Sequence, residues 1–206
     1  MLSRILHGYR PGPPSAPVVR YARAQPDELP HLDTKKLGRP SHRMTGDRRD
    51  LVRGIGWECI HVCIDDHSRL SHTAVRADER KDTTVDFLEQ VVAHYHQLGI
   101  RVQCVMTYNG SCCRSAASRK ACALLQLRHL FTKPCSPQTN GKAKRFIQSA
   151  LREWAYARTY QHSIERTAAL PVWLQRYNWR RPHRSLQRQP PVSRLILEDN
   201  ILTTHS

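Results

Sequence analysis

A chain of 206 residues with 39% hydrophobic content can bury one core of ordinary domain size, and it contains no apolar run of the ~20 residues a membrane span needs. Its 33 Lys and Arg against 17 Asp and Glu give a formal net charge of +16, so a polyanion is the expected partner: each phosphate neutralised by Lys or Arg releases a condensed counterion. Seven cysteines, an odd number without a Cys-x-x-Cys pair or a preceding signal peptide, argue for reduced thiols and against both a disulfide framework and a structural zinc site.

In chain order, the first 27 residues read as a linker. They carry four arginines, like a transit peptide, but Pro11, Pro13, Pro14, Pro17 and Pro26 oppose an amphipathic helix. From Glu28 to Leu37 the pattern alternates, placing Leu29, His31, Asp33 and Lys35 on one side of an extended segment. A loop rich in Arg, Gly and Asp runs to Gly56. Trp57–Ile64 is a predicted strand ending at the Asp65-Asp66-His67-Ser68 turn, and Leu70–Val75 is its return. A helix is predicted over Thr83–Leu98, with Val85, Leu88, Val92 and Tyr95 as its stripe, Asp82 as its cap and Gly99 as its left-handed end. Val102–Thr107 is a strand, Ser115–Leu125 a helix and Arg128–Thr132 a strand. After a loop marked by Pro134, Pro137 and Gly141, a long helix spans Lys142–Arg158, with Phe146, Ile147, Ala150, Leu151 and Trp154 inward. A last helix, Ile164–Trp179, is expected to bend at Pro171. Trp154 and Trp173 read as core. The twelve histidines show no zinc-ligand spacing; His94 and His96, two apart on a helix, point away from each other. The element order is α/β with a mixed sheet.

Two segments carry the chemistry. Thr107-Tyr-Asn-Gly-Ser111 ends a strand, and 35 residues separate Tyr108 from Lys144 in Asn140-Gly-Lys-Ala-Lys-Arg-Phe146 at a helix start. His31-Leu-Asp-Thr-Lys-Lys-Leu-Gly38, Ile64-Asp-Asp-His-Ser-Arg-Leu70 and Tyr177-Asn-Trp-Arg-Arg-Pro-His-Arg-Ser-Leu186 followed by Pro190-Pro191 complete an ordered set. Together they resemble the catalytic core of bacterial insertion-sequence transposases of the DDE, retroviral-integrase type. The resemblance implies a ribonuclease-H-like mixed sheet flanked by helices over residues 28–195, with 1–27 as a linker remnant and 196–206 as a tail. It implies DNA integration and transposition by strand transfer, with two magnesium or manganese ions held by three carboxylates.

Asp33 matches the first carboxylate. The other two positions are Tyr108 and Lys144, so the nominal charge of the three falls from −3 to 0. A phenol is a poor ligand for a hard cation. At ~4 Å and an effective dielectric of ~20, an ammonium repels a divalent ion by about 8 kcal/mol, an upper figure because lysine can swing aside. Asp33 alone would then hold any ion, and weakly. Asp65 and Asp66 are substitutes on paper but read better as turn residues.

The expected DNA contacts are Lys133, Asn140, Lys142, Arg145 and Arg152 around the long helix, and Arg180, Arg181, His183 and Arg184 near the end, phosphate contacts that position a duplex without reading it. The family's helix-turn-helix finds no counterpart before Glu28. The expectation is a truncated, catalytically defective core in the bacterial cytoplasm, associated with the nucleoid, forming a homo-oligomer. The alternative is a non-enzymatic DNA-binding protein that co-assembles with an intact transposase and inhibits it.

Overall fold

The computed structural model describes residues 29–40, 56–132 and 140–195. Five strands form one sheet in the order β3-β2-β1-β4-β5. β1 (Pro30–Gly38), β2 (Trp57–Asp65) and β3 (Ser71–Arg76) are an antiparallel meander, while β4 (Cys104–Thr107) and β5 (Arg128–Phe131) join β1 in parallel through helical crossovers. Residues Cys59 to Asp65 of β2 are all buried, as befits a strand between two neighbours with helices over both faces.

The strand period of two sorts side chains into two cores. Leu32, Cys63 and Val105 pack under α1 (Lys81–Gln97) and α2 (Ala116–Leu124), against Phe87, Leu88, Val91, Tyr95, Ala121 and Cys122. On the other face Leu37, Ile60, Val62 and Ile64 meet α3 (Gly141–Ala150) and α4 (Ser163–Trp179) through Phe146, Ile147, Trp154, Leu170, Trp173 and Tyr177. Trp154 and Trp173 are core residues, as their spacing indicates. Asp33 pairs across β1 and β2 with Val62, so its side chain belongs to the α3 and α4 face.

Three local expectations need correction. Asp82 does not cap α1: Arg80 is the cap residue and makes no side-chain cap, while Asp78 Oδ1 accepts from the Arg80 backbone N–H at 3.0 Å and from Thr83 Oγ1 at 2.6 Å. The inward stripe is Thr84, Phe87, Leu88, Val91 and Tyr95, shifted from the expected one so that Val85 and Val92 are only half-buried. The long helix stops early: α3 passes into a π turn at Leu151–Ala155, and Tyr156 leaves the helical region. Gly99 does end α1 with φ +73°, and α4 runs through Pro171.

α4 is fixed to the sheet by polar contacts. Asn178 accepts from Ser71 N at 3.0 Å and donates to Ser71 O at 2.8 Å, completing the backbone bonds at the start of edge strand β3. Arg166, 1% exposed, donates to Gly38 O at 2.9 Å and to Glu58 Oε2 at 2.8 Å. Among the described residues no helix is long and apolar enough to cross a membrane.

Candidate functional site

Asp33 is the fourth of the nine residues of β1, two beyond His31, which pairs with Met106 of β4. Its Oδ1 accepts from the Thr34 backbone N–H at 2.9 Å, and its Oδ2 from Asn140 Nδ2 at 3.0 Å. Burial pushes its pKa above the usual carboxylate range, opposed by the Thr34 bond and by the charges of Lys144 and His31. Asn140 is the residue before α3. Its side chain makes no cap to its own helix and reaches across to Asp33 instead.

Tyr108 leaves the end of β4 with its ring over Gly110; a Cβ built on Gly110 would lie 2.1 Å from Tyr108 Cε2. Only glycine permits this approach. The phenol makes its bonds to Thr34 Oγ1 at 3.3 Å and to Cys112 Sγ at 3.1 Å. Thr34 is Asp33's neighbour along the strand and so belongs to the opposite face of the sheet. Burial and the Cys112 contact push the phenol well above its ordinary value, so it stays protonated.

Lys144 lies in the first turn of α3, exposed, near enough to Asp33 for its charge to act on that carboxyl. The structure thus gathers Asp33, Lys144 and, through Thr34, Tyr108 around one end of β1. The side chains there are a carboxylate held by two donors, a neutral phenol and an ammonium.

The Asp65-Asp66 pair is used in the fold. Asp65 Oδ2 accepts from His67 N at 3.1 Å, Ser68 N at 2.6 Å and Ser68 Oγ at 2.7 Å, closing the β2–β3 turn. Asp66 Oδ1 bonds His31 Nε2 at 3.0 Å and forms an ion pair with Lys142. Among the described residues no cluster of three or more His, Cys, Asp or Glu could hold a metal ion.

The basic residues divide by position. Asn140 is buried on Asp33, and Lys142 is half-buried against Asp66, with burial lowering its pKa. Both face inward rather than outward. Arg145, Arg152, Arg180 and Arg184 are exposed. Arg181 pairs with Glu153 and lies 5.6 Å over the Tyr177 ring, and His183 meets that ring edge-on at 4.8 Å. Burial and the charge of Arg181 push His183 down to about 4. Lys133 lies outside the described residues.

Sequence reading missed the partners of the site: Thr34 and Cys112 on Tyr108, Gly110 beneath it, and the His31-Asp66-Lys142 chain. Cys112 follows Tyr108 by four residues in an irregular turn, where no periodicity signals contact. His31 and Asp33 share a strand face, which was the one available hint.

Residues 125–191, about a third of the chain, match the integrase core domain family. Among solved structures, the chain is similar to a chain of the simian T-cell lymphotropic virus intasome solved with PP2A regulatory subunit B56 gamma: TM-score 0.68, 17% identity, 87% of this chain and 58% of that one. It is similar to the HTLV-2 integrase catalytic core domain in complex with magnesium, in a trimeric form (TM-score 0.59, 14% identity, 82% of this chain, 97% of that one). It is also similar to the BIV integrase catalytic core domain (TM-score 0.57, 17% identity, 87% and 99%). The chain spans just over half the length of the intasome chain, and nearly all of the two isolated cores. Residues 125–191 thus match the integrase core domain, and the chain shares the ribonuclease-H-like fold of the retroviral integrase cores.

Proposed function

We propose that residues 28–195 are the catalytic-core module of an insertion-sequence transposase, a DNA-associating protein whose own strand-transfer site is defective. One observation carries this: at the three positions where the family presents carboxylates stand Asp33, occupied by Thr34 and Asn140, Tyr108, bonded to Thr34 and Cys112, and the Lys144 ammonium. Strand transfer needs two divalent ions clamped by hard oxygens. One raised-pKa carboxyl, a protonated phenol and a cation do not fit such a pair. The exposed Arg145, Arg152, Arg180 and Arg184, with a formal charge of +16 behind them, support DNA association that needs no metal.

Nicking of supercoiled plasmid by the purified chain, with manganese, is the test. The parent is expected to be inactive and to leave manganese free, as read from its solution EPR signal. The double variant Tyr108→Asp/Lys144→Glu is expected to bind the ion. Metal-dependent nicking by the parent would overturn the proposal.

A second reading, a protein that joins an intact transposase in a mixed oligomer, is favoured by a separate feature. Ile164 and Val172, about two turns apart on α4, are 82% and 71% exposed and offer apolar contact positions to a partner. Co-expression with an intact transposase, followed by co-purification and an assay of inhibition, separates this reading from the first.

A further inference from the structure

Sequence spacing gives no metal chelate among the histidines, yet folding brings His94 of α1 against His72 of β3. Their ring centroids are 4.6 Å apart with planes inclined 37°. With metal–nitrogen bonds of about 2.0–2.1 Å and each ring centre about 1.1 Å behind its nitrogen, two cis ligands of one ion set their centroids roughly 4.5–5.2 Å apart. The observed separation lies within that span. We propose that His72 and His94 form a two-imidazole site for a borderline divalent transition-metal ion, nickel(II) or zinc(II), that clamps edge strand β3 to α1.

Two further observations support the assignment. Both residues are only half-buried, and their ring nitrogens make no hydrogen bond among the described residues. Phe87 stacks under His72 at 5.8 Å, and the ring of Tyr95 lies edge-on to His94 at 5.9 Å, so both imidazoles are held in place from behind. Arg76, on the same strand as His72, carries a charge that opposes a cation, but its guanidinium is held by Gln90 Oε1. With two protein ligands the remaining positions belong to water. Such a site selects ions that favour imidazole and rejects magnesium. It is separate from the Asp33 region, and its occupancy does not depend on strand-transfer activity.

Calorimetric titration of the full chain, carrying no added histidines, with nickel chloride tests the site. One ion per chain is expected. Chelation raises affinity over a single ligand by about 10²–10⁴, so His94→Ala and His72→Gln should each weaken binding by about a hundred-fold or more. The double variant should lose less than the sum of the two single losses, because both rings serve one ion. Helical circular dichroism checks each fold, and alanine suits position 94. In the unmodified chain, substoichiometric nickel should broaden the ring protons of His72 and His94 before those of other histidines. Absence of binding, unchanged affinity in His94→Ala, or broadening centred on other histidines would overturn the assignment.

Discussion

Removing the Glu58 carboxylate should destabilise the chain far more than a surface charge would. Arg166 is 1% exposed on its side chain and Glu58 13%, and their 2.8 Å contact is the link through which α4 grips the far end of β1 and β2. In Glu58→Ala the guanidinium stays buried with Gly38 O as its remaining partner, while Arg39, 4.0 Å from Glu58 and half-exposed, turns to water at little cost. Stranding one member of a buried pair costs about 3–5 kcal/mol. For a domain of this size that is a fall in Tm of roughly 6–20 °C. Arg166→Met removes the charge as well as the bond. It leaves Gly38 O short of one donor, a loss of about 1 kcal/mol, while methionine fills much of the same volume. The double variant Glu58→Ala/Arg166→Met should therefore be more stable than Glu58→Ala alone by about 2 kcal/mol or more. Urea unfolding followed by circular dichroism, at constant m value, gives the numbers. A Glu58→Ala cost under about 1 kcal/mol, typical of exposed pairs, would show that water reaches the guanidinium and would refute the argument.

Gly110→Ala should cost about 1–3 kcal/mol, because its Cβ would meet the Tyr108 ring at 2.1 Å, and the cost should vanish in a Tyr108→Ala background; chemical denaturation of both pairs decides. Lys144→Gln should raise the Asp33 pKa further, since that ammonium now lowers it, and carboxyl carbon NMR titration reads the shift directly. His72 and His183 are both held down to about 4, so the unfolded chain takes up their protons first. The stability they contribute is complete above about pH 6.5 and is lost as pH falls toward 4; pH-dependent thermal unfolding of the parent should show this, and His183→Gln should flatten it. Alanine at Arg145, Arg152, Arg180 or Arg184 should each lower the slope of log K against log salt for duplex DNA by about 1 without loss of stability, whereas Lys142→Ala, which removes the ion pair of the buried Asp66, should lower Tm and leave the slope nearly unchanged.

The strands and helices were legible because their signals are periodic and local. Alternation marked β2, and the i, i+3, i+4 pattern with Gly99 behind it marked α1. The cap of α1 was misread because the bond comes from Asp78, in the loop outside the helix, where an acidic residue in the first turn offered a simpler candidate. The π turn at Leu151–Ala155 was not legible: Leu151 and Trp154 continue the helical stripe, and the change of winding reflects tertiary packing of Trp154, whose Nε1 donates to Arg166 O at 2.8 Å. Motif spacing singled out Asp33, Tyr108 and Lys144 as candidate site residues. It could not give the direction of the phenol, which depends on Cys112 and Gly110 in an irregular turn. Lys142 and Asn140 illustrate the same limit. Both read as outward-facing polar groups at a helix start, and both turn inward because buried carboxylates on β1 and in the β2–β3 turn lie beneath them.

The scaffold and the site rest on different residues, which is why one can change without the other. Asp33 shares the sheet face of the α3 and α4 core but belongs to neither cluster, and α4 is secured by Arg166 and Asn178 at Glu58, Gly38 and Ser71. Position 144 is exposed, so exchanging a carboxylate for an ammonium there removes no packing. Three carboxylates in one pocket repel one another in the absence of cations, and the opposite charges of Asp33 and Lys144 attract. Position 108 tolerates a phenol because Gly110 leaves room for the ring and Thr34 and Cys112 satisfy its hydroxyl. On the proposed reading, each departure from the acidic pattern is neutral or favourable for the metal-free fold. A metal site of this kind is maintained against stability by the chemistry it performs, and without that constraint its carboxylates are the residues whose loss the scaffold resists least.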